Sequence, residues 1–142
     1  NHMSIGYVDW NLLVDYTGGP NHLGNNCDAN IVADPYRKLT NKTSGAGSSA
    51  VVLRPSYYML GHIARFAQRG SVRLGASFQV IGGMGKGADT VDVTAFTMPN
   101  GSTSVILLNR GEQAVQYTLR DKATGREAEL TALAHSAQSY IY

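Results

Sequence analysis

Cysteine and charged residues are scarce in this 142-residue sequence, and each shortage excludes a class of protein. The single cysteine, Cys27, rules out a framework of internal disulfides, and no second thiol stands near it at the spacing of a metal site. We expect Cys27 to be a small, half-buried thiol. Charged residues make up 15% of the chain and give a net charge of +2. They form neither the basic stripe of a nucleic-acid-binding protein nor a polybasic membrane patch.

Long apolar runs are also missing. No stretch approaches the length that crosses a membrane, so we expect no membrane span. The opening Asn-His-Met-Ser has no cationic start and leads into no uninterrupted apolar run, so we expect no signal peptide. Hydrophobic residues nevertheless make up 43% of the chain, which suffices for one globular domain or for two small layers that share a core.

The first part of the chain predicts one strand followed by a long loop. Tyr7–Val14 is an apolar run that we expect to form a strand buried on both faces, stopped by Asp15–Gly19. Ile31–Ala33 favours a short extended segment. The polar Gly/Ser stretch 40–49 is typical of a surface loop.

A helix is predicted next, over Ser56–Gln68. Pro55 suits a helix start, and Gly70 supplies a stop. One face of this helix is apolar at helical spacing, with Met59, His62, Ile63 and Phe66. We expect His62 to be a core histidine bonded to backbone or water rather than a ligand.

After residue 71 every signal is that of a strand. Short runs rich in β-branched and aromatic residues alternate with turn residues, which is typical of an antiparallel β-sandwich. The predicted strands are Val72–Gln79, Val91–Met98, Thr103–Asn109, Ala114–Arg120, Arg126–Thr131 and Gln138–Tyr142.

Two glycine-containing segments separate these strands. Pro99–Ser102 predicts a hairpin turn, because Asn-Gly accepts the positive φ that such turns require. Gly82–Gly87 has the composition of a phosphate-binding loop, but no Ser or Thr follows its lysine and no helix comes next. We therefore expect Gly82–Gly87 to be a flexible loop between strands.

No catalytic pair of carboxylates can be assembled from the first half of the chain. Its acids are Asp9, Asp15, Asp28 and Asp34. Because side chains alternate along a strand, Asp9 and Trp10 are predicted to point to opposite faces. A pocket faced by Trp10 would therefore not include Asp9.

The same region has the composition of a sugar-facing rim. An aromatic face covers the apolar side of a sugar ring, and amides bond its hydroxyl groups. Trp10 is followed by the asparagines Asn11, Asn21, Asn25 and Asn26. The alternative from composition alone is that Trp10 belongs to the core and that the asparagines serve turns.

Three segments, taken in order, resemble the C-terminal end of glycoside hydrolase family 30, whose members include glucosylceramidase. They are "GYVDWNLLVDYTGGPNHLGNNCDANIVAD", "SYYMLGHIARFAQRGSVRLG" and "VTAFTMPNGSTSVILLNR". The resemblance implies a mostly β fold, in which residues 1–71 are the last strand, site loop and last helix of a (β/α)8 barrel and residues 72–142 are an antiparallel β-sandwich side domain. It implies that Trp10 lines the sugar pocket and that Asn25 and Asn26 border it.

The resemblance also implies an activity. Members hydrolyse β-linked glycosides with retention by means of two glutamates, but all three glutamates of this chain fall in the predicted side domain. We therefore expect a glucosylceramidase-like portion that supplies pocket residues, needs no cofactor or metal, and is inactive alone. The alternative is a noncatalytic carbohydrate-binding or structural β-sandwich module.

The expected partners are a β-glycoside and either the missing N-terminal barrel portion or a second copy of the chain, with no nucleic acid. The resemblance favours a secreted or extracytoplasmic location.

Overall fold

The computed structural model of the protein describes residues 6–20, 24, 26–35, 50–78 and 90–142. Within these residues the chain forms nine strands and one helix, and it divides into two compact units, Asn1–Leu60 and Gly61–Tyr142. The segments 40–49 and Gly82–Gly87, for which loops were predicted, lie outside the described residues. The assignment of 1–71 to a barrel and 72–142 to a side domain stays a prediction.

The first unit contains a three-stranded sheet of very short strands. Strand β1 (Leu13–Asp15) runs parallel to β2 (Ile31–Ala33), which pairs antiparallel with β3 (Val51–Leu53). The short extended segment predicted at Ile31–Ala33 is thus confirmed. Val14 and Val32 are opposite each other in the sheet and, with Ala29, form a small buried cluster.

The strand predicted over Tyr7–Val14 is wrong in its length and in its burial. Strand β1 begins only at Leu13, residues 7–12 form no strand, and most of their large apolar side chains are exposed. A strand buried on both faces requires a neighbour along each edge and a layer over each face. In the described part of the chain, β1 has a single neighbour, β2, which is three residues long.

Helix α1 (Pro55–Phe66) confirms the predicted helix to within two residues at its C-terminal end. Proline suits the first helical position because its missing N–H would have no partner there. The Tyr57 amide donates to the Arg54 carbonyl at this end. Beyond the other end, Gly70 adopts a φ of +86°, a conformation that glycine reaches without strain.

The second unit holds the remaining strands in two sheets. One sheet has the order β4-β5-β6-β9 and the other is the pair β7-β8, and all of their pairings are antiparallel. The strands are β4 (Val72–Leu74), β5 (Val91–Thr97), β6 (Thr103–Asn109), β7 (Val115–Arg120), β8 (Glu127–Ala132) and β9 (Ser136–Ile141). Five of these match their predicted bounds to within two residues, whereas β4 ends earlier than predicted.

The two sheets pack face to face and enclose the core of this unit. Val91 on β5, Leu107 on β6 and Ala132 on β8 are buried together, with Val115 and Tyr117 of β7 packed against them. Alternation along each strand brings these side chains to the inner face. The structure therefore confirms a mostly β chain with an antiparallel β-sandwich.

The second half of α1 covers the other face of the four-stranded sheet. His62 Nδ1 lies 2.8 Å from Ser139 Oγ on β9, and Ser104 Oγ on β6 donates to the Phe66 carbonyl. The prediction of a histidine bonded to backbone or water was wrong about the partner, which is a serine side chain. Strand β6 is thus covered on both faces, which explains why most of its residues are buried.

The hairpin turn predicted at Pro99–Ser102 is confirmed. Gly101 has a φ of +86°, and its amide donates to the Met98 carbonyl. Asn100 Oδ1 accepts from both the amide and the hydroxyl of Ser102. These bonds fix the register of β5 on β6, in which Thr97 is opposite Thr103.

Asn109 joins the strands at the opposite end of β6. Its side chain is completely buried, and its Nδ2 donates to the carbonyls of Gln113, Ala132 and Leu133. Its Oδ1 accepts from the Gly111 amide at 2.9 Å. A buried amide that bonds four backbone groups holds the end of β6 to the chain entering β7 and leaving β8.

Tyrosine hydroxyl groups link the two sheets of the sandwich. Tyr117 Oη donates to Tyr140 Oη at 2.8 Å, and Tyr140 Oη donates to Gln138 Oε1 at the same distance. Gln138 Nε2 in turn donates to the Thr131 carbonyl. Burial, followed by the bond to Tyr140, raises the pKa of Tyr117 above its usual value of 10.0.

Candidate functional site

The turn after β1 is built around the carboxylate of Asp15. Its Oδ1 accepts from the amides of Thr17 and Gly19, each at 2.8 Å, and from the Thr17 hydroxyl at 2.6 Å. The Asp15 backbone also exchanges bonds with Gly18 and Gly19. The sequence break at Asp15–Gly19 therefore forms a tight, self-bonded turn.

Gly18 allows this turn to lie close to the backbone of Cys27. Its φ is +85°, and a Cβ placed on it would lie 2.8 Å from both the amide nitrogen and the carbonyl oxygen of Cys27. The Cys27 amide donates to the Gly18 carbonyl at 3.2 Å. Only glycine satisfies both requirements, so the chain at 26–28 lies directly against the turn.

A second link joins the exposed segment before β1 to the chain just before β2. Asp9 Oδ1 accepts from the Trp10 amide at 2.9 Å, and Asp9 Oδ2 accepts from Asn30 Nδ2 at 3.0 Å. Asn30 is buried, with 5% of its surface exposed. Its carbonyl accepts from the Arg54 amide at the start of α1.

Of the three residues predicted to line or border the pocket, the structure describes Trp10 and Asn26. The Trp10 side chain is not in the core, since 88% of the residue is exposed. Asn26 is also exposed, beside the Gly18 turn. Asn25 lies outside the described residues. Trp10 and Asn26 therefore stand on two segments that are bonded to each other, and both residues are exposed.

The carboxylates of this unit act as hydrogen-bond acceptors. The bond from Asn30, followed by that from the Trp10 amide, lowers the pKa of Asp9, and the bonds from Thr17 and Gly19 lower the pKa of Asp15. A general acid requires a raised pKa, so neither group suits that role. Asp28 forms an exposed ion pair with Arg54 at 3.6 Å.

Asn30 is the residue of this region that the sequence did not reveal. Its position one residue before a short extended segment resembles that of an ordinary turn residue. Its burial and its bond to Asp9, which is 21 positions earlier, depend on how β2 lies beside β1. No local pattern carries that information.

The described residues contain no group of three His, Cys, Asp or Glu side chains arranged to hold a metal ion. Their helix is too short to cross a membrane.

A sequence comparison identifies the family. The model of the glycosyl hydrolase family 30 beta sandwich domain matches residues 70–140, half of the chain. The chain belongs to glycosyl hydrolase family 30. The matched residues contain five of the six strands of the second unit and all of β9 except its last residue, Ile141.

Glucosylceramidases are among the curated relatives in family 30. Putative glucosylceramidase 3 of Caenorhabditis elegans is 28% identical over 142 residues, covering 100% of this chain and 24% of that protein. Lysosomal acid glucosylceramidase of Mus musculus is 28% identical over 137 residues, covering 96% of this chain and 23% of that protein. The chain thus spans about a quarter of the length of these relatives.

Solved structures show the same relation. SrfJ from Salmonella typhimurium superposes with a TM-score of 0.70 at 27% identity, covering 94% of this chain and 25% of its own. An endo-β1,6-glucanase superposes with a TM-score of 0.69 over 93% of this chain and 26% of its own. At 22% identity that second likeness shows the fold alone. The predicted resemblance to family 30 and its glucosylceramidase-like members is confirmed.

Proposed function

We propose that this chain is the C-terminal portion of a retaining, glucosylceramidase-like β-glycosidase. In this proposal residues 1–71 are the last strand, site loop and last helix of its (β/α)8 barrel, and residues 72–142 are the side domain. Family membership and the glucosylceramidases among the relatives support the reaction class. The sites of such barrels lie at the C-terminal ends of their strands, where the Asp15–Gly19 turn follows β1.

The observation that carries the proposal is the exposed Trp10 on the segment that leads into β1. An indole with 88% of its residue surface open to water has little role in stabilising this chain, but it offers a flat apolar face to a sugar ring. The amides of Asn25 and Asn26 are proposed to bond sugar hydroxyl groups from the neighbouring loop.

The two catalytic carboxylates are proposed to come from the rest of the enzyme. The glutamates of this chain lie in the second unit, where Glu112 pairs with His135 and Glu127 pairs with Arg120. Retention requires two carboxyl groups about 5 Å apart, one of them with a raised pKa. The chain alone should therefore be inactive, and its partners should be the β-glycoside and the barrel portion or a second copy of the chain.

The test is Trp10→Ala in the complete enzyme that contains this chain, assayed with an aryl β-glucoside. We expect kcat/KM to fall at least about tenfold through a lost stacking surface, and the melting temperature to change by less than about 2 °C because the side chain is exposed. Tyr58→Ala, which removes another exposed aromatic residue of the first unit, is the matched control and should leave kcat/KM unchanged.

Either of two results would contradict the proposal. One is an unchanged kcat/KM in Trp10→Ala. The other is turnover by the purified chain alone, confirmed by mass to lack any other polypeptide. Sugar binding by the chain in the absence of any activity of the complete enzyme would instead support a noncatalytic binding module.

A further inference from the structure

We propose that Asp9 and Asn30 are a positioning pair that holds Trp10 in place for the sugar. This inference rests on the proposed function, because it assigns Trp10 to the substrate pocket. Neither Asp9 nor Asn30 is proposed to touch the substrate. Their role is to fix the backbone from which the indole projects.

The geometry uses both oxygens of the Asp9 carboxylate in different directions. Oδ1 accepts from the amide of the next residue, Trp10, at 2.9 Å. Oδ2 accepts from Asn30 Nδ2 at 3.0 Å, across 21 positions of sequence. Through these two bonds the carboxylate connects the Trp10 backbone to the buried residue Asn30.

Asn30 is well suited to be the fixed end of this connection. It is buried, and its carbonyl accepts from the Arg54 amide at 2.9 Å. The next residue, Ile31, donates its amide to the Leu12 carbonyl and begins β2. Asn30 is therefore held by its own bond to Arg54, the residue before α1, and by the bond of the next residue to Leu12.

Within the part of the chain that the structure describes, Trp10 has no comparable support of its own. Residues 7–12 belong to no strand, and the side chains of Tyr7, Val8 and Trp10 are exposed. A stacking residue gains affinity when its position is set before the ligand arrives, because less motion is lost on binding. The Asp9 carboxylate sets this position before the ligand arrives, because it bonds the Trp10 backbone and the buried Asn30 together.

The charge state of Asp9 is consistent with this role. The bonds from Asn30 and from the Trp10 amide lower its pKa, so the carboxylate stays ionised and accepts both bonds at neutral pH. Replacing this carboxylate with an amide puts an N–H donor where Oδ2 accepted, so the bond with Asn30 can form again only in the opposite direction. This provides a specific test.

The experiment exchanges the two functional groups in the complete enzyme. Asp9→Asn alone sets an amide against the Asn30 amide, which can bond it only by turning its oxygen toward position 9, and Asn30→Asp alone sets two carboxylates against each other, which cannot bond when both are ionised. The double variant Asp9→Asn/Asn30→Asp restores one donor and one acceptor, while the new amide oxygen at position 9 can still accept from the Trp10 amide. All three variants are assayed with an aryl β-glucoside, with and without Trp10→Ala.

We expect Asn30→Asp to lower kcat/KM about tenfold, mainly through a raised KM, Asp9→Asn to lower it less, and the double variant to recover to within about threefold of the parent. In the Trp10→Ala background, Asn30→Asp should change kcat/KM by less than about twofold, because the residue that the pair positions is gone. Asp28→Asn is the matched control. Asp28 also accepts from the amide of the next residue, at 2.9 Å, but its side-chain partner within the described residues is the exposed Arg54, and its change should leave kcat/KM unaltered.

The outcomes separate this inference from the proposed function. If Trp10→Ala leaves kcat/KM unchanged, both fail. If Trp10→Ala lowers it but Asn30→Asp causes the same further loss in that background, the positioning inference fails and the proposed function stands. A double variant that is unfolded, or as impaired as the single variants, also overturns the inference.

Discussion

The two units of this chain use their apolar residues in opposite ways. In the second unit, strands of six or seven residues enclose Val91, Leu107 and Ala132. In the first unit, the strands are three residues long, and Tyr7, Val8, Trp10 and Leu12 lie exposed. The difference teaches that the sandwich sequence contains its own packing partners, whereas the apolar run before β1 has few within the described residues.

The cause is the separation in sequence between the strands that pair. In the second unit, β5 and β6 are joined by a short hairpin and pair over seven positions. In the first unit, β1 and β2 are separated by 15 residues and pair over three. Local pairing completes a sheet within a short sequence, while parallel pairing depends on distant segments.

The largest effect is expected from a leucine-to-alanine substitution, compared between the two units. Leu107→Ala removes a side chain that is 2% exposed and should lower the free energy of unfolding of the second unit by about 3 kcal/mol. Leu12→Ala, at a residue 68% exposed, should change stability by less than about 0.5 kcal/mol. Urea titration measures both when it is followed by amide signals of β5 and β6 for Leu107→Ala and of β1 and β2 for Leu12→Ala, and equal losses would refute the contrast.

A smaller effect is expected for two asparagines in the two regions. Asn109→Ala leaves three carbonyls and the Gly111 amide without their partner and should cost about 2 kcal/mol. Asn26→Ala, at an exposed position, should be close to neutral for stability. Hydrogen exchange of the Gly111 amide, faster in Asn109→Ala, reports the same loss locally. A protected Gly111 amide in that variant would show that Asn109 is dispensable.

The smallest effect concerns Tyr117 and alkaline pH. Because its pKa is raised in the folded chain, its contribution to stability is present below pH 10 and is lost as the pH rises further. Tyr117→Phe should cost about 1 kcal/mol at neutral pH through the lost bond to Tyr140 and should flatten the alkaline decline. Tyr142, whose pKa is also raised, leaves part of the decline in place. Identical alkaline profiles for parent and variant would contradict this assignment.

The sandwich was largely predictable because its signals are local. Alternation marks β5 and β6, and Asn100-Gly101 marks the turn between them, so strands and turn follow from residues close in sequence. The helix start at Pro55 is equally local.

What could not be predicted depends on distant partners. The strand over Tyr7–Val14 was overextended because apolarity was taken as burial, and burial requires neighbours that the run itself does not contain. Asn30 resembles an ordinary turn residue and Asn109 an ordinary strand end until the sheets place Asp9 beside one and three carbonyls around the other. Trp10 was open to either interpretation from the sequence, and its pocket role stays a prediction.

Helix α1 has a practical consequence for dividing the protein into expressed fragments. The boundary between the compact units falls at Leu60, inside the helix, so cleavage there would remove the i−4 carbonyl partners of the next four residues. A fragment starting at residue 72 would lose the bonds that His62 and Phe66 make to the sheet. A fragment starting at Pro55 would keep the whole helix and both of those bonds, and it is the cut we expect to yield a soluble sandwich.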